Sequence, residues 1–152
     1  MIALIQRVRE ARVEVEGETV GACGYGLLIL LGVDREDTED DLARLADKLL
    51  KLRIFPDEND KMNRSIVDVN GEALVVSQFT LLANYSHGNR PEYFQAAPPD
   101  MANAYYEAFV ARLRQTLSHV GTGRFGAHME VSLTNSGPVT IVLDSNRLKK
   151  KD

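Results

Sequence analysis

Apolar and polar positions alternate strictly through Ala11–Val15, where Val13 and Val15 oppose Arg12 and Glu14. That period of two is the mark of a half-buried strand. Ile2–Arg9 reads as a strand just before it, and Gly17 turns the chain. After Gly24 and Gly26 the run Leu27–Val33 is apolar throughout, as expected of a strand covered on both faces. From Thr38 the period changes. Leu42, Leu45, Ala46, Leu49 and Leu50 recur at helical spacing and make one apolar stripe. Thr38 and Asp41 sit at capping-box spacing, Glu39 and Asp40 suit the positive end of a helix, and Pro56 stops it.

The second half follows the same alternation of elements. Residues 57–72 are polar, and Asn70-Gly71 turns the chain into an apolar strand over Ala73–Leu82. Residues 83–100 lack periodicity and carry Gly88, Pro91, Pro98 and Pro99; irregular loops of that length are usually functional or mobile. A second amphipathic helix is predicted over Asp100–Leu117, with Tyr105, Ala108, Phe109, Arg112 and Leu113 inward. Met129, Val131 and Leu133 alternate with polar neighbours in one strand, Asn135-Ser136-Gly137-Pro138 interrupts, and Val139–Leu143 forms another. Separated helices and several strands predict one α+β domain over residues 1–145 with a largely antiparallel or mixed sheet. Residues 146–152, with three consecutive lysines, read as a basic disordered tail.

Composition narrows the function classes. With 152 residues, 44% of them hydrophobic, the chain suits one well-packed core. A net charge of −4 argues against broad nucleic-acid or DNA binding, which needs a positive field, yet leaves room for a local basic patch. Cys23 is the single cysteine, which excludes a disulfide framework; no metal or cofactor is expected. The first residues lack the features of a signal peptide, and no apolar run approaches membrane-spanning length, so a cytoplasmic protein without a membrane partner is expected.

Two stretches carry candidate chemistry. Ser77-Gln78-Phe79-Thr80 places hydroxyl and amide groups where an apolar strand would otherwise continue. Gly137-Pro138-Val139-Thr140 opens the last strand with a proline after the least hindered residue, a plausible place for a cis bond. Taken singly, each has a plain structural explanation. Hydroxyls on apolar strands are commonly satisfied core groups; Gly-Pro is commonly a turn; Phe125 and Met129 would pack in a core. Ser77 or Thr80 as a nucleophile with a base from His87, His119 or His128 is a second possibility, although no Gly-x-Ser-x-Gly turn surrounds Ser77.

Seven stretches in order resemble the bacterial D-aminoacyl-tRNA deacylases: Met1-Ile-Ala-Leu-Ile-Gln-Arg-Val, Gly26-Leu-Leu-Ile-Leu-Leu-Gly-Val, Arg53-Ile-Phe, Lys61-Met-Asn, Ser77-Gln-Phe-Thr-Leu, Gly123-Arg-Phe and Gly137-Pro-Val-Thr. The resemblance implies a barrel-like sheet with two main helices, a homodimer, and hydrolysis of the ester joining a D-amino acid to the 3′ end of tRNA; glycine, with no Cβ to collide, is expected to be admitted too. It implies a site at the subunit interface. Ser77, Gln78, Phe79 and Thr80 would be its catalytic residues, with Phe125 and Met129 beside them. Gly137 and Pro138 of the partner, held by Arg7, would reject L-aminoacyl esters. Lys61, Arg64, Arg90 and Arg124, with Arg7, are candidates for RNA contacts. In this family's mechanism the 2′-hydroxyl of the terminal adenosine assists attack, and backbone amides near Phe79 and Thr80 receive the oxyanion. Two departures stand out, both in loops: Glu92 where serine commonly follows Arg-Pro, and the segment Asn63-Arg64-Ser65-Ile66. A serine or threonine esterase acting on small esters and a non-catalytic RNA-binding domain remain as alternatives.

Overall fold

A computed structural model describes residues 1–148. The first strand, β1 (Ile2–Val15), runs through both predicted segments without a break. It is long enough to serve two neighbours along one edge. Its first half pairs antiparallel with β3 (Gly26–Gly32), and its second half with β2 (Glu18–Cys23). β3 then runs parallel to β6 (Glu72–Ser77), which runs parallel to β7 (Val120–Thr122). Parallel strands need long crossovers, and two helices supply them. The first, α1 (Glu39–Lys51), links β3 to the short hairpin of β4 (Phe55–Pro56) and β5 (Met62–Arg64); the second, α2 (Pro99–Arg114), links β6 to β7.

The final strand, β8 (Glu130–Asp144), pairs antiparallel with β1 along almost its whole length. Two strands separated by a Gly-Pro turn are expected from the pattern; one strand with an interruption forms instead, because β1 offers a continuous template on both sides of the break. The two sheet edges, β2 and β7, also approach each other. A Cβ on Gly21 would lie 1.9 Å from the Thr122 carbonyl oxygen, and one on Gly121 would lie 2.5 Å from that of Ala22. Only glycine allows that contact, and it brings the sheet close to a closed barrel. The mixed, barrel-like α+β architecture is as expected.

The main core lies between the sheet and both helices, around Ile5, Leu27, Ile29, Leu45, Leu49, Phe55 and Phe109. α1 forms as its sequence dictates. The Thr38 hydroxyl accepts from the Asp41 amide, the Asp41 carboxylate accepts from the Thr38 amide, and all five stripe residues are buried. Arg112 of α2 donates two hydrogen bonds to the Asp47 carboxylate of α1, at 3.1 and 3.0 Å, so the two helices are tied by a forked ion pair. A smaller cluster on the sheet's other face joins Val8, Ala11, Val13, Leu28, Leu74 and Val76 to Cys23. Burial pushes the Cys23 thiol up to about 12, which keeps it inert.

Three sequence-based boundaries shift. β6 ends at Ser77, and Phe79–Leu82 folds into a 3-10 turn, since Gln78 donates to the Leu31 carbonyl and then leaves the ladder. α2 stops at Arg114 and turns Ala108 outward, with Tyr106 and Val110 taking the inner face. The tail boundary also moves. Ser145–Arg147 forms a short 3-10 turn, and Arg44 donates to the carbonyls of Ser145 and Leu148 at 3.0 Å each, while Leu148 packs on the core. The rest of the expected tail, residues 149–152, lies outside the described residues.

The β3–β6 ladder sets Ser77 opposite Leu31. It begins at Gly26, where a Cβ would lie 1.8 Å from the Glu72 carbonyl oxygen. Gly26→Ala is therefore expected to lower unfolding free energy by about 1–3 kcal/mol, the usual cost of overpacking a tight contact. Urea denaturation reads this directly, and an unchanged midpoint contradicts the ladder geometry.

Candidate active site

The end of β6 opens into a cavity of about 680 Å³. One wall is Ser77, Gln78 and Phe79; the other is Phe125 and Met129; Pro98 and Ala102 at the start of α2 contribute to the lining. Five residues singled out in the sequence thus converge, although about fifty positions separate the two groups. The floor is fixed from beneath. Tyr106 is buried, its hydroxyl donates to the Val75 carbonyl at 2.7 Å, and its ring lies 6.3 Å from that of Phe125. Burial raises the Tyr106 hydroxyl to about 12, so it remains a donor at neutral pH.

The 3-10 turn matters chemically. Its first internal hydrogen bond runs from the Leu81 amide to the Gln78 carbonyl, at 3.2 Å. The amides of Phe79 and Thr80 precede that bond, so neither has an acceptor within the turn. Two adjacent N–H groups at the cavity's edge can receive an oxyanion. The Gln78 side-chain amide donates to the Thr80 hydroxyl, and Thr80 itself stands exposed just beyond the cavity lining. Phe79 is 55% exposed and rests edge-on against Tyr93, with ring centres 5.0 Å apart.

A nucleophile-and-base pair is not assembled here. Among the described residues no histidine bonds the hydroxyl of Ser77 or Thr80: His119 contacts the Ala22 carbonyl at 2.7 Å and His128 pairs with Glu130 at 3.0 Å. His128 does line the cavity, but its imidazole is turned to solvent. Three additional wall positions, Tyr93, Ala97 and Ala102, are not among the sequence candidates. The length of the 83–100 loop hinted at Tyr93 and Ala97, whereas Ala102 belongs to α2 and carried no such signal.

Gly137 and Pro138 lie elsewhere. They form the interruption in β8, where the register with β1 shifts between Gln6 and Val8. The Gly137–Pro138 bond is cis, and both residues are exposed. Two side chains hold the projection. Arg7 donates from Nε to the Ser136 carbonyl at 2.8 Å and from Nη1 to the Ile54 carbonyl at 2.7 Å. Asn135 spans the gap, donating to the Val139 carbonyl at 3.1 Å and accepting from the Val139 amide at 2.8 Å. Neither Gly137 nor Pro138 lines the cavity of its own chain.

The basic candidates are scattered. Arg7 is turned inward on backbone carbonyls, which removes it from the set facing RNA phosphate. Arg64 pairs with Glu58 at 2.6 Å, and Lys61 is exposed in the β4–β5 turn. Arg90 is exposed on the 83–100 loop, where Glu92 turns its carboxylate onto the Phe94 amide at 2.9 Å. Arg124 adjoins Phe125.

A family model for D-Tyr-tRNA(Tyr) deacylase matches residues 4–144. Among curated proteins, a D-aminoacyl-tRNA deacylase of Thermosipho africanus is 55% identical over 148 residues, covering 97% of this chain and 99% of its own. One from Bacillus pumilus is 57% identical over 145 residues, covering 95% and 99%. Among solved structures, one described as c-Myc DNA Unwinding Element Binding Protein superposes with a TM-score of 0.90 at 42% identity, covering 95% of this chain and 98% of that one. Another, described as a "probable eukaryotic D-amino acid tRNA deacylase", shares the fold at a TM-score of 0.81 and 18% identity, covering 94% and 98%.

Arg7→Lys keeps the charge but cannot reach both carbonyls with fixed geometry. It is expected to speed amide hydrogen exchange across residues 134–139 and to lower stability by about 1.5–3 kcal/mol, the range for charged hydrogen bonds. Exchange unchanged in that segment contradicts the anchoring role.

Proposed function

The chain belongs to the D-Tyr-tRNA(Tyr) deacylase family and is a hydrolase of the D-aminoacyl-tRNA deacylase type; on that premise we propose that it cleaves D-aminoacyl-tRNA and spares the L-form. The observation that carries this reading is the convergence of Ser77, Gln78, Phe79, Phe125 and Met129 on one cavity. In this reading the terminal adenosine and its ester enter between Phe79 and Phe125. Water, assisted by the adenosine 2′-hydroxyl, attacks the ester carbonyl. The Phe79 and Thr80 amides hold the oxyanion, and the 3′-oxygen departs with a proton, giving free tRNA and a D-amino acid. Gln78 and Thr80, joined by their side chains, orient the substrate; no side chain serves as nucleophile.

Chirality is read by a second copy. Since Gly137 and Pro138 project from the surface away from their own cavity, they serve the cavity of a partner subunit. Apolar surface supports this homodimer. Val131, a wall of the cavity, is one of several exposed apolar residues on β8, with Leu133 and Val142; Val142 lies beside Leu4, and Leu4 beside Leu30. Against the partner's backbone, the ammonium of a D-amino acid finds carbonyl acceptors and its side chain points out. An L-amino acid, anchored by the same groups, drives its Cβ into backbone. Glycine has no Cβ, so glycyl-tRNA is accepted too. Basic groups at Lys61, Arg64, Arg90 and Arg124 give a modest hold on the RNA, and the enzyme works in the cytoplasm.

Hydrolysis of D-tyrosyl-tRNA and L-tyrosyl-tRNA, measured side by side, tests the reading. Fast loss of the D-ester with the L-ester persisting is expected, and equal loss of both means a general esterase. Ser77→Ala is expected to keep the D-specific rate within roughly tenfold, whereas removal of a true nucleophile costs on the order of 10⁴ or more.

A further inference from the structure

A second cavity, of about 500 Å³ and more polar in character than the first, also has Phe125 in its wall. The two cavities therefore adjoin at this residue. The lining of the second includes Arg114 from the end of α2, Arg124 from the segment after β7, Asn103 and Thr122. Arg114 is anchored on one edge, donating from Nη2 to the Val120 carbonyl at 2.9 Å, and lines the cavity. Among the described residues neither guanidinium has a carboxylate within ion-pair distance, whereas Arg7, Arg44, Arg64 and Arg112 are all committed to carbonyls or carboxylates. One acid, Glu107, shares the rim and accepts a long hydrogen bond from Asn103 at 3.4 Å. Two cations against one anion leave the cavity positive on a protein whose net charge is −4.

We infer that this second cavity binds the phosphodiesters leading into the esterified nucleoside, with Arg114 and Arg124 as the anion ligands. The inference rests on the deacylase reading of the first cavity. It extends that reading because a nucleoside held against Phe125 carries its 5′-phosphate away from the ester, and the adjoining polar cavity offers two guanidinium groups without a carboxylate partner. Planar forks suit phosphate oxygens, and the Asn103 and Thr122 groups can donate to the same atoms. Local charge of this kind lets an acidic protein hold RNA through few contacts, with specificity left to the amino-acid pocket.

The test compares Arg114→Gln, Arg124→Gln and Glu107→Gln on two substrates, D-tyrosyl-tRNA and the phosphate-free ester 3′-O-D-tyrosyl-adenosine. Each arginine variant is expected to raise KM for the tRNA roughly tenfold with little change in kcat, the scale of one lost charged contact. The dependence of log(kcat/KM) on log salt should become shallower by about 0.7 for each phosphate contact removed from a single strand. Hydrolysis of the adenosine ester should be unaffected, and Glu107→Gln should lower KM for the tRNA. Equal losses on both substrates, or an unchanged KM and salt slope, overturn the subsite. Should the wild-type protein cleave the tRNA but not the adenosine ester, the salt slope alone decides. If it cleaves neither, the deacylase reading itself fails and the subsite falls with it.

Discussion

The antiparallel pairing of β1 with β8 governs the rest of the molecule, because it runs along almost the whole of both strands and departs from regular register only around Val8. A strand interrupted by Gly137–Pro138 would ordinarily end there, since proline cannot donate to a ladder. Here β1 continues on both sides, and the chain re-enters register by Thr140 opposite Gln6. What crosses the gap is side chain. The Asn135 amide reproduces the two hydrogen bonds that the interrupted backbone cannot make with Val139, and Arg7 grips the Ser136 carbonyl from within β1. Because Arg7 also holds the Ile54 carbonyl, the projection is coupled to the segment that follows α1. The result is an exposed Gly137–Pro138 segment held by side chains on both flanks.

A similar economy shapes the cavity. β6 delivers Ser77 from the centre of the sheet, and the chain then turns before the ladder can consume the amides of Phe79 and Thr80. α2, tied to α1 by Arg112 and Asp47, carries Tyr106, whose hydroxyl secures the Val75 carbonyl beneath the site. In the proposed mechanism, backbone donors of this turn would supply the electrostatic stabilisation of the transition state without any tuned acid or base. Among the described residues no histidine bonds the hydroxyl of Ser77 or of Thr80.

Much of the helical architecture was legible from the sequence. The Thr38–Asp41 capping box and the Leu42–Leu50 stripe depend on local spacing alone, and both form as predicted. The Leu27–Val33 run also formed a covered strand, because a continuous apolar segment has few alternatives. Non-local facts were less legible. Whether Gly137-Pro138 ends a strand or interrupts one depends on β1, some 130 positions away, and no local pattern records it. The outward turn of Ala108 and the end of β6 at Ser77 likewise depend on neighbours brought in by topology. The strip formed by Leu30, Leu4 and Val142 emerges only once the ladder registers are known.

The central claim is that each site joins one subunit's cavity to the partner's Gly137–Pro138 projection, and mixing two inactive variants tests it most directly. One variant carries a blocked cavity, such as Phe125→Arg; the other carries a displaced projection, such as Arg7→Ala with Asn135→Ala. In a mixed dimer one site collects both defects and the other has none. Co-refolding at equal amounts is therefore predicted to restore D-specific hydrolysis to about a quarter of the wild-type level, as two-fold symmetry requires. No recovery above the two variants alone, with mixed dimers demonstrably present, would show that cavity and projection act within a single chain.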